Sequence, residues 1–592
     1  MIGRRAASFA VLAAACALTT GSRQAAAAPR NLMDYLDGDA PVVTRVDLET
    51  WEKAVQLYRT SGAPGASRAV FVASAAAVAL IGFDPLVRAG WYRAGVDADL
   101  PVVASFGARD RKGSPGTRFW RARVVMAVDD VGKLNATVTR LAGVIPGMTA
   151  VGPAKASAVA TAVRAPASNG KAVVAALRRA GVQAVGRVPG IGTLIAIHRM
   201  GGALVVDLLT PAMSAKLSWP RDGAAVLTRL ARVPNVVRKR AAHGAAARLS
   251  KPGVVVWADA PGLYDLQRHL QHELALRIGV GANDPANDDK VCAGFRDIVT
   301  AGPFTDIAAS IDIRPGSAMS AGASIHADLV YGLRGAFKLA RAMLVADDQL
   351  IDAKGMANAD AVIAGQLFLK SLAPLRTLPR PKVLKLQRQE LRWTMLNCTS
   401  SAWTSLALFG WPQAMGMMLD EVANIDPEAA KLVAGARNTA FAFREVGGGM
   451  GRLRGFVEMS VTPDVAAYPA RYFATVWGAK KVVTKSNQKV DTWGKGPMRP
   501  YHLPIAGHDV FGIALQPRSL GWRVDHRLLG TRKVDRLVAE VYLQPDHLLR
   551  QLAPTADWAA ALQPIANRLL LASLHTQFGA DTLENVFILD VR

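Results

Sequence analysis

Short β-branched runs that end in aspartate or proline and give way to an amphipathic segment recur along this chain. Residues 41–46 (Pro-Val-Val-Thr-Arg-Val) run into Asp47 and a segment with Trp51, Val55 and Tyr58 at helical spacing. Residues 123–128 lead into Asp129-Asp130 and a helical pattern of Leu134, Val138 and Leu141, and residues 253–258 into Asp259 and then Leu263, Leu266 and Leu270. The same junction is predicted at 324–327, with Asp328 ahead of a helix carrying Leu333, Phe337 and Ala340. It recurs at 456–461 with Thr462-Pro463-Asp464 and at 538–543 with Gln544-Pro545-Asp546. Asp or Thr at such a boundary accepts from the orphan N–H groups of the first helical turn, Pro is tolerated there, and a carboxylate meets the positive end of the helix dipole.

Two strand pairs bring their own turns. Residues 193–198 and 203–209 flank Met200-Gly201-Gly202, and 439–446 and 455–461 flank a glycine-rich turn. The strands alternate only in part, which suits a sheet covered by helices on one face. The expected fold is therefore α+β: duplicated modules of antiparallel sheet with helices packed on one face. The expected organisation is a signal peptide over 1–28, a first module over 29–148, a second, basic module over 149–235 and a basic linker over 236–252. A third module over 253–370, a Pro/basic linker over 371–385 and C-terminal module(s) over 386–592 complete it.

Composition narrows the class. With 592 residues, 51% hydrophobic and 20% charged, the chain is neither disordered, nor a disulfide-dense mini-protein, nor collagen-like. Aromatics are only 6%, so the cores are expected to be built from small aliphatic side chains. Arg4-Arg5 before the apolar run 6–18, and Ala25 to Ala28 before Pro29, read as a cleaved export signal. Arg4-Arg5 also fits a twin-arginine signal and Cys16 a lipidated cysteine, but a basic pair is usual in any n-region and the residues around Cys16 do not suit lipidation. Cleavage would remove Arg4, Arg5 and Arg23 and no acid, taking the net charge from +25 to +22. Cys292 and Cys398 would remain, either as one disulfide in an oxidising compartment or as two buried thiols. The apolar stretches 69–83 and 403–419 are too short or too interrupted to span a membrane and are expected as buried helices.

Residues 33–106 also carry a resemblance. Met33-Asp34-Tyr35-Leu36, Asp39-Ala40-Pro41-Val42-Val43, Gly82-Phe83-Asp84-Pro85-Leu86 and Gly95-Val96-Asp97-Ala98-Asp99-Leu100-Pro101-Val102-Val103 are similar to passages of a loosely defined family of exported bacterial envelope proteins, known only as a domain of unknown function. The resemblance implies a periplasmic or outer-envelope location and no reaction.

Candidate chemistry is sparse. Gly447-Gly448-Gly449-Met450-Gly451 lies between two strand-like runs rather than between a strand and a helix, so it reads as a turn, not a nucleotide loop. His269 and His272 share a helix face beside Glu273, a candidate metal site, although a zinc-protease helix needs H-E-x-x-H and this one is H-x-x-H-E. Asn283, Asp284, Asn287, Asp288 and Asp289 form an oxygen-rich cluster of the kind calcium prefers, without EF-hand spacing; Asx-rich loops more often only make turns. No G-x-S-x-G elbow is present. No cofactor is expected.

Charge distribution carries the functional reading. Residues 145–251 hold sixteen Lys/Arg against only Asp207 and Asp222; the densest part includes Arg229, Arg232, Arg238, Lys239, Arg240, Arg248 and Lys251. Residues 477–502 carry Lys480, Lys481, Lys485, Lys489, Lys495 and Arg499 against Asp491, interleaved with Trp477, Trp493 and Tyr501, and are expected to be an exposed binding loop in which cations and aromatic faces meet a ligand. The expected function is a non-catalytic exported envelope protein binding an anionic polysaccharide or a phospholipid headgroup; nucleic acid is not expected, because of export. The alternatives are a metal-dependent hydrolase using His269, His272 and Glu273, or a protein-binding scaffold.

Overall fold

A computed structural model describes residues 31–37, 40–60, 65–110, 118–187, 193–211, 244–277, 290–315, 322–335, 350–368, 370–378, 405–446, 453–485, 487–505, 508–525, 537–552, 563 and 567–591. The signal peptide expected over 1–28 lies outside these residues. The described residues form two compact units, one comprising those up to 296 with 306–312, the other those of 297–305, 313–378 and 405 onward.

The strands of the first unit are β1 (Val42–Val46), β2 (Val102–Asp110), β3 (Arg118–Ala127), β4 (Met148–Ala150), β5 (Val182–Arg187), β6 (Leu194–Met200), β7 (Ala203–Pro211), β8 (Val254–Asp259) and, through 306–312, β9 (Phe304–Pro315). All pairings are antiparallel, in the order β9-β8-β1-β2-β3-β7-β6-β5-β4. The second unit holds β10 (Ala323–Leu333), β11 (Ile363–Leu367), β12 (Ala436–Glu445), β13 (Arg454–Val461), β14 (Lys481–Lys485), β15 (Gln488–Thr492), β16 (Met498–Ile505), β17 (His508–Leu515), β18 (Leu537–Leu543), β19 (Leu569–Phe578) and β20 (Thr582–Val591). Their antiparallel order is β10-β20-β19-β18-β11-β12-β13-β17-β16-β15-β14. The nine-strand order of the first unit thus recurs, strand for strand, from β19 to β14 in the second. The fold is α+β with duplicated antiparallel modules, and the repeating element is a whole nine-strand sheet, much longer than the strand–helix junctions suggest.

Helices follow where the capping signals stand. Asp130 accepts from the N–H groups of Gly132 and Lys133 at 2.8 and 3.0 Å, opening Val131–Val144, whose Val131, Leu134, Val138 and Leu141 form one buried stripe. With Ala77 and Ile81 they pack on Met126, Ile197, Leu204 and Val206. In the first unit the opposite sheet face is covered too: Val159, Val173 and Leu177, from Ala156–Ala162 and Gly170–Arg179, lie against Val185, Leu194, Ala196 and Leu209. In the second unit Ala353–Ala359 and Pro517–Asp525 cover Ala440, Ala442, Phe456, Leu503 and Val510, while Phe473 of Ala467–Trp477 covers Val461, Trp493 and Phe511.

Two local expectations fail for tertiary reasons. The helix expected after Asp328 does not start there, because β10 pairs with β20 without interruption from Ala323 opposite Val591 to Gly332 opposite Thr582. Phe337 and Ala340 lie outside the described residues. The apolar stretch 69–83 does form a helix, Ala66–Ile81, but only Ala66, Ala77 and Ile81 are buried, since one narrow side meets the body of the unit. Trp411–Ile425, which overlaps the second apolar stretch and runs past its end, is likewise one-sided, burying Pro412, Gln413 and Gly416 and exposing Met418 and, beyond the stretch, Ile425. No helix among the described residues is long and apolar enough to cross a membrane.

Candidate binding surface

Residues 477–502 are not a loop. Lys-Val-Val-Thr-Lys and Gln-Lys-Val-Asp-Thr pair as the hairpin β14–β15, turned at Asn487 with φ 62°, a left-handed value that Asn tolerates. β14 pairs only with β15 among the described residues and is therefore a sheet edge, where lysines also discourage pairing with another chain. Lys480, Lys481, Lys485, Lys489 and Lys495 are all exposed. Arg499 is half-buried on β16.

Alternation divides the hairpin's side chains between two faces. Val483 and Val490 point into the core, and Lys481 and Lys485 share their side. On the other face Asp491 accepts from Lys480 Nζ at 3.3 Å and lies 3.3 Å from His502 Nδ1, while His502 Nε2 is 2.8 Å from Asp509. The His502 ring stacks on Phe511 with centroids 4.6 Å apart. Nothing in the sequence around His502 marks this arrangement, because Asp491 and Asp509 reach it only through strand pairing.

The aromatic part of the expectation is overturned. Trp493 is 2% exposed and packs edge-on against Phe473 at 5.3 Å, and Tyr501 is fully buried with its hydroxyl donating to Glu458 at 2.6 Å. Trp477 is half-buried in the same cluster. Neither Trp493 nor Tyr501 offers a face to a ligand; at period two in a covered sheet, large aromatics fill the core before they serve a surface. The hairpin is therefore a surface of cations.

The other candidates disperse. Arg229, Arg232, Arg238, Lys239 and Arg240 lie outside the described residues, whereas Arg248 is half-buried and Lys251 exposed at the end of the 3-10 helix Gly244–Ser250. His269 is half-buried and His272 buried on Ala260–Arg277; Glu273 is on the same helix, its side chain outside the described set. Among the described residues no group of three or more His, Cys, Asp or Glu side chains is placed to hold a metal ion. Cys292 lies on Lys290–Ala301 with its side chain outside the described set; Cys398, the Asx cluster 283–289 and the glycine run 447–451 are outside it altogether.

What sequence reasoning missed is a buried polar line in each sheet. Directly opposed residues share a face, and one such line in the first unit runs Trp257, Val43, Ser105, Arg123, Asp207, Ala196, Val185. On the matching strands of the second it runs Glu540, Gln366, Ala440, Glu458, Gly512, Tyr501, Thr492. Arg123 grips Asp207 bidentately at 2.8 and 2.9 Å; Arg121 bridges Asp207 and Asp37 at 3.1 and 3.0 Å; His198 Nε2 lies 3.2 Å away. Burial alone would raise the Asp207 carboxyl, but the charges of Arg121 and Arg123 and the His198 contact hold it well below the usual carboxylate range. In the second unit Arg523 donates three times to Glu458 at 2.6–2.9 Å, and Gln366 donates to Glu540 at 2.8 Å. Burial and the Glu458 charge push the Tyr501 hydroxyl well above its ordinary value. The legible signal was a single charge at an inward position of an apolar strand, as in Phe456-Val457-Glu458. These groups are buried and the carboxylates of Asp207 and Glu458 are met by paired cations, although Arg121 Nη2, Arg523 Nη1 and the His198 ring nitrogens make no hydrogen bond among the described residues; pairing of this kind suits them to fixing strand order.

No known family profile matches the chain, and no curated protein matches it. A solved structure described as crystal form III of TP0453 aligns with it at 8% identity, covering 54% of this chain and 89% of that one with a TM-score of 0.22, a likeness that carries no argument about fold or function.

Proposed function

We propose that the protein is an exported, non-catalytic envelope protein that binds an anionic polymer or lipid headgroup through its basic surfaces, chiefly the β14–β15 hairpin. The supporting observation is the hairpin itself: Lys480, Lys481, Lys485 and Lys489 stand exposed on or beside its two strands, with Asp491 as the only acid in either strand. Such charges attract a polyanion from both faces of the edge, and their contribution is Coulombic. The Debye length falls from about 10 Å at 0.1 M salt to about 3 Å at 1 M, so binding by these lysines should fade over that range.

The test is the Lys480→Glu/Lys481→Glu/Lys485→Glu/Lys489→Glu variant, assayed with soluble dextran sulfate and with phosphatidylglycerol vesicles. Glutamate protects a sheet edge as lysine does, so charge reversal separates binding from edge protection. The variant should keep its melting temperature and lose the salt-sensitive binding. Undiminished binding of both probes by the reversed hairpin would remove this surface from consideration.

A further inference from the structure

Among the described helices, Ala66–Ile81 leaves a wide apolar arc in water. Phe71 is 72% exposed, Val72 55%, Leu80 52% and Val78 48%, and Ala69, Ala73, Ala75, Ala76 and Ala79 are exposed beside them. At about 100° per residue these positions sweep roughly 220° of the helix circumference, leaving only the side of Val70, Ser74, Ala77 and Ile81 turned to the body. No charged residue occurs from Ala69 to Phe83. On the neighbouring helix Leu48–Thr60, Trp51 and Tyr58 are 40% and 51% exposed. A helix whose only charge is Arg68 in its first turn and that is apolar nearly all round beyond it belongs in a core or in lipid, and water-exposed apolar surface of this extent marks an interaction site.

We infer that Ala66–Ile81 inserts into the interfacial layer of an anionic lipid bilayer. Three observations choose lipid over a protein groove or a second copy of the chain. A groove or a partner helix covers one stripe, whereas here the apolar arc is more than half of the circumference. Sixteen residues at 1.5 Å each give about 24 Å, too short to cross a hydrocarbon core of about 30 Å but ample for a helix lying in its surface. The N-terminal flank complements an anionic surface, with Arg59 and Arg68 the only charges between Lys53, which pairs with Glu49 at 2.7 Å, and Asp84. Gly65 opens the helix and Gly82 closes it with φ of 77° and 84°, ending it sharply at both sides. The inference shares with the proposed function only the anionic nature of the surface; its contribution is apolar and salt-resistant.

Flotation of the full chain with phosphatidylglycerol/phosphatidylcholine vesicles, at 0.1 M and at 1 M salt, tests it. The wild type should retain vesicle binding at 1 M salt. Phe71→Ser/Val72→Ser/Leu80→Ser should lose it by about 100-fold or more, as expected from withdrawing three apolar side chains from lipid, with its melting temperature and its dextran sulfate binding unchanged. The lysine-reversed variant should show the converse pattern, keeping the salt-resistant fraction, so the two surfaces fail independently. A triple-serine variant that floats like the wild type at 1 M salt would overturn the inference. So would sedimentation velocity showing, without lipid, a wild-type dimer that the triple substitution converts to monomer, because the helix would then be covered by a second copy.

Discussion

The Glu458–Arg523–Tyr501 cluster makes a graded prediction about stability. Glu458 accepts from Arg523 Nε at 2.8 and 2.9 Å, from Nη2 at 2.6 Å and from the Tyr501 hydroxyl at 2.6 Å, and all three side chains are at most 2% exposed. Glu458→Leu keeps much of the volume but strands a buried guanidinium and a buried phenol without their shared acceptor. Breaking one side of a buried pair costs about 3–5 kcal/mol, most of it the penalty for the charge left behind. Tyr501→Phe removes one donor while Arg523 still neutralises the carboxylate, so it should cost only about 1 kcal/mol. Glu458→Leu/Arg523→Leu removes both charges and should recover most of the single-variant loss, as replaced buried pairs often do. Urea titrations read by hydrogen exchange on peptides from β13, β16 and β17 report on this unit separately from the other. A cost below about 1 kcal/mol for Glu458→Leu, the value of an exposed pair, would refute the reasoning, as would a double variant whose loss equals the sum of the singles.

The pH profile should fall at both ends. Asp207 titrates near 3.9 in an unfolded chain and lower when folded, so the unfolded state takes up the proton first; its stabilisation is present above about pH 4 and lost as pH falls further. Tyr501 has the opposite sign, its contribution present below about pH 10 and lost as pH rises beyond it. Unfolding midpoints measured across pH should show a shallower acid arm for Asp207→Asn and a shallower alkaline arm for Tyr501→Phe; unchanged arms would sink the assignment. Gly512→Ala should destabilise by about 1–3 kcal/mol in thermal melts, because a Cβ there would lie 2.6 Å from Tyr501 Cζ and Oη and 2.8 Å from Glu458 Cβ. Gly143→Ala, in the last turn of Val131–Val144 with nothing within 4 Å, should be neutral or stabilise by up to about 0.5 kcal/mol and serves as its control.

How far the sequence reaches depends on the range over which each feature is set. The strand-to-helix boundaries at Asp47, Asp130, Asp259, Pro463 and Pro545 were legible because the boundary residue and the first turn lie within four residues of one another; Asp130 and Asp259 cap that turn with their carboxylates. The hairpin β6–β7 was legible for the same reason, its two strands being joined by Met200-Gly201-Gly202. Faces and partners are decided elsewhere. Asp328 reads locally as a cap, but ten pairings to β20, more than 250 residues away, keep it in a strand. Trp493 and Tyr501 read as a binding surface because they alternate with lysines, and only the helix Ala467–Trp477 and the carboxylate of Glu458 make them core. The apolar run 69–83 reads as buried because apolar helices usually are, and only the arrangement of its neighbours leaves Phe71 and Leu80 in water. The duplicated strand order shows in the sequence only as like strand-to-helix junctions after β3 and β13 and after β8 and β18, while across the matching strand pairs one sheet sets Arg123 against Asp207 and the other Glu458 against Gly512. Burial demands that charges there be paired, not which strand supplies which sign, so different side chains serve one topology and only the tertiary structure reveals it.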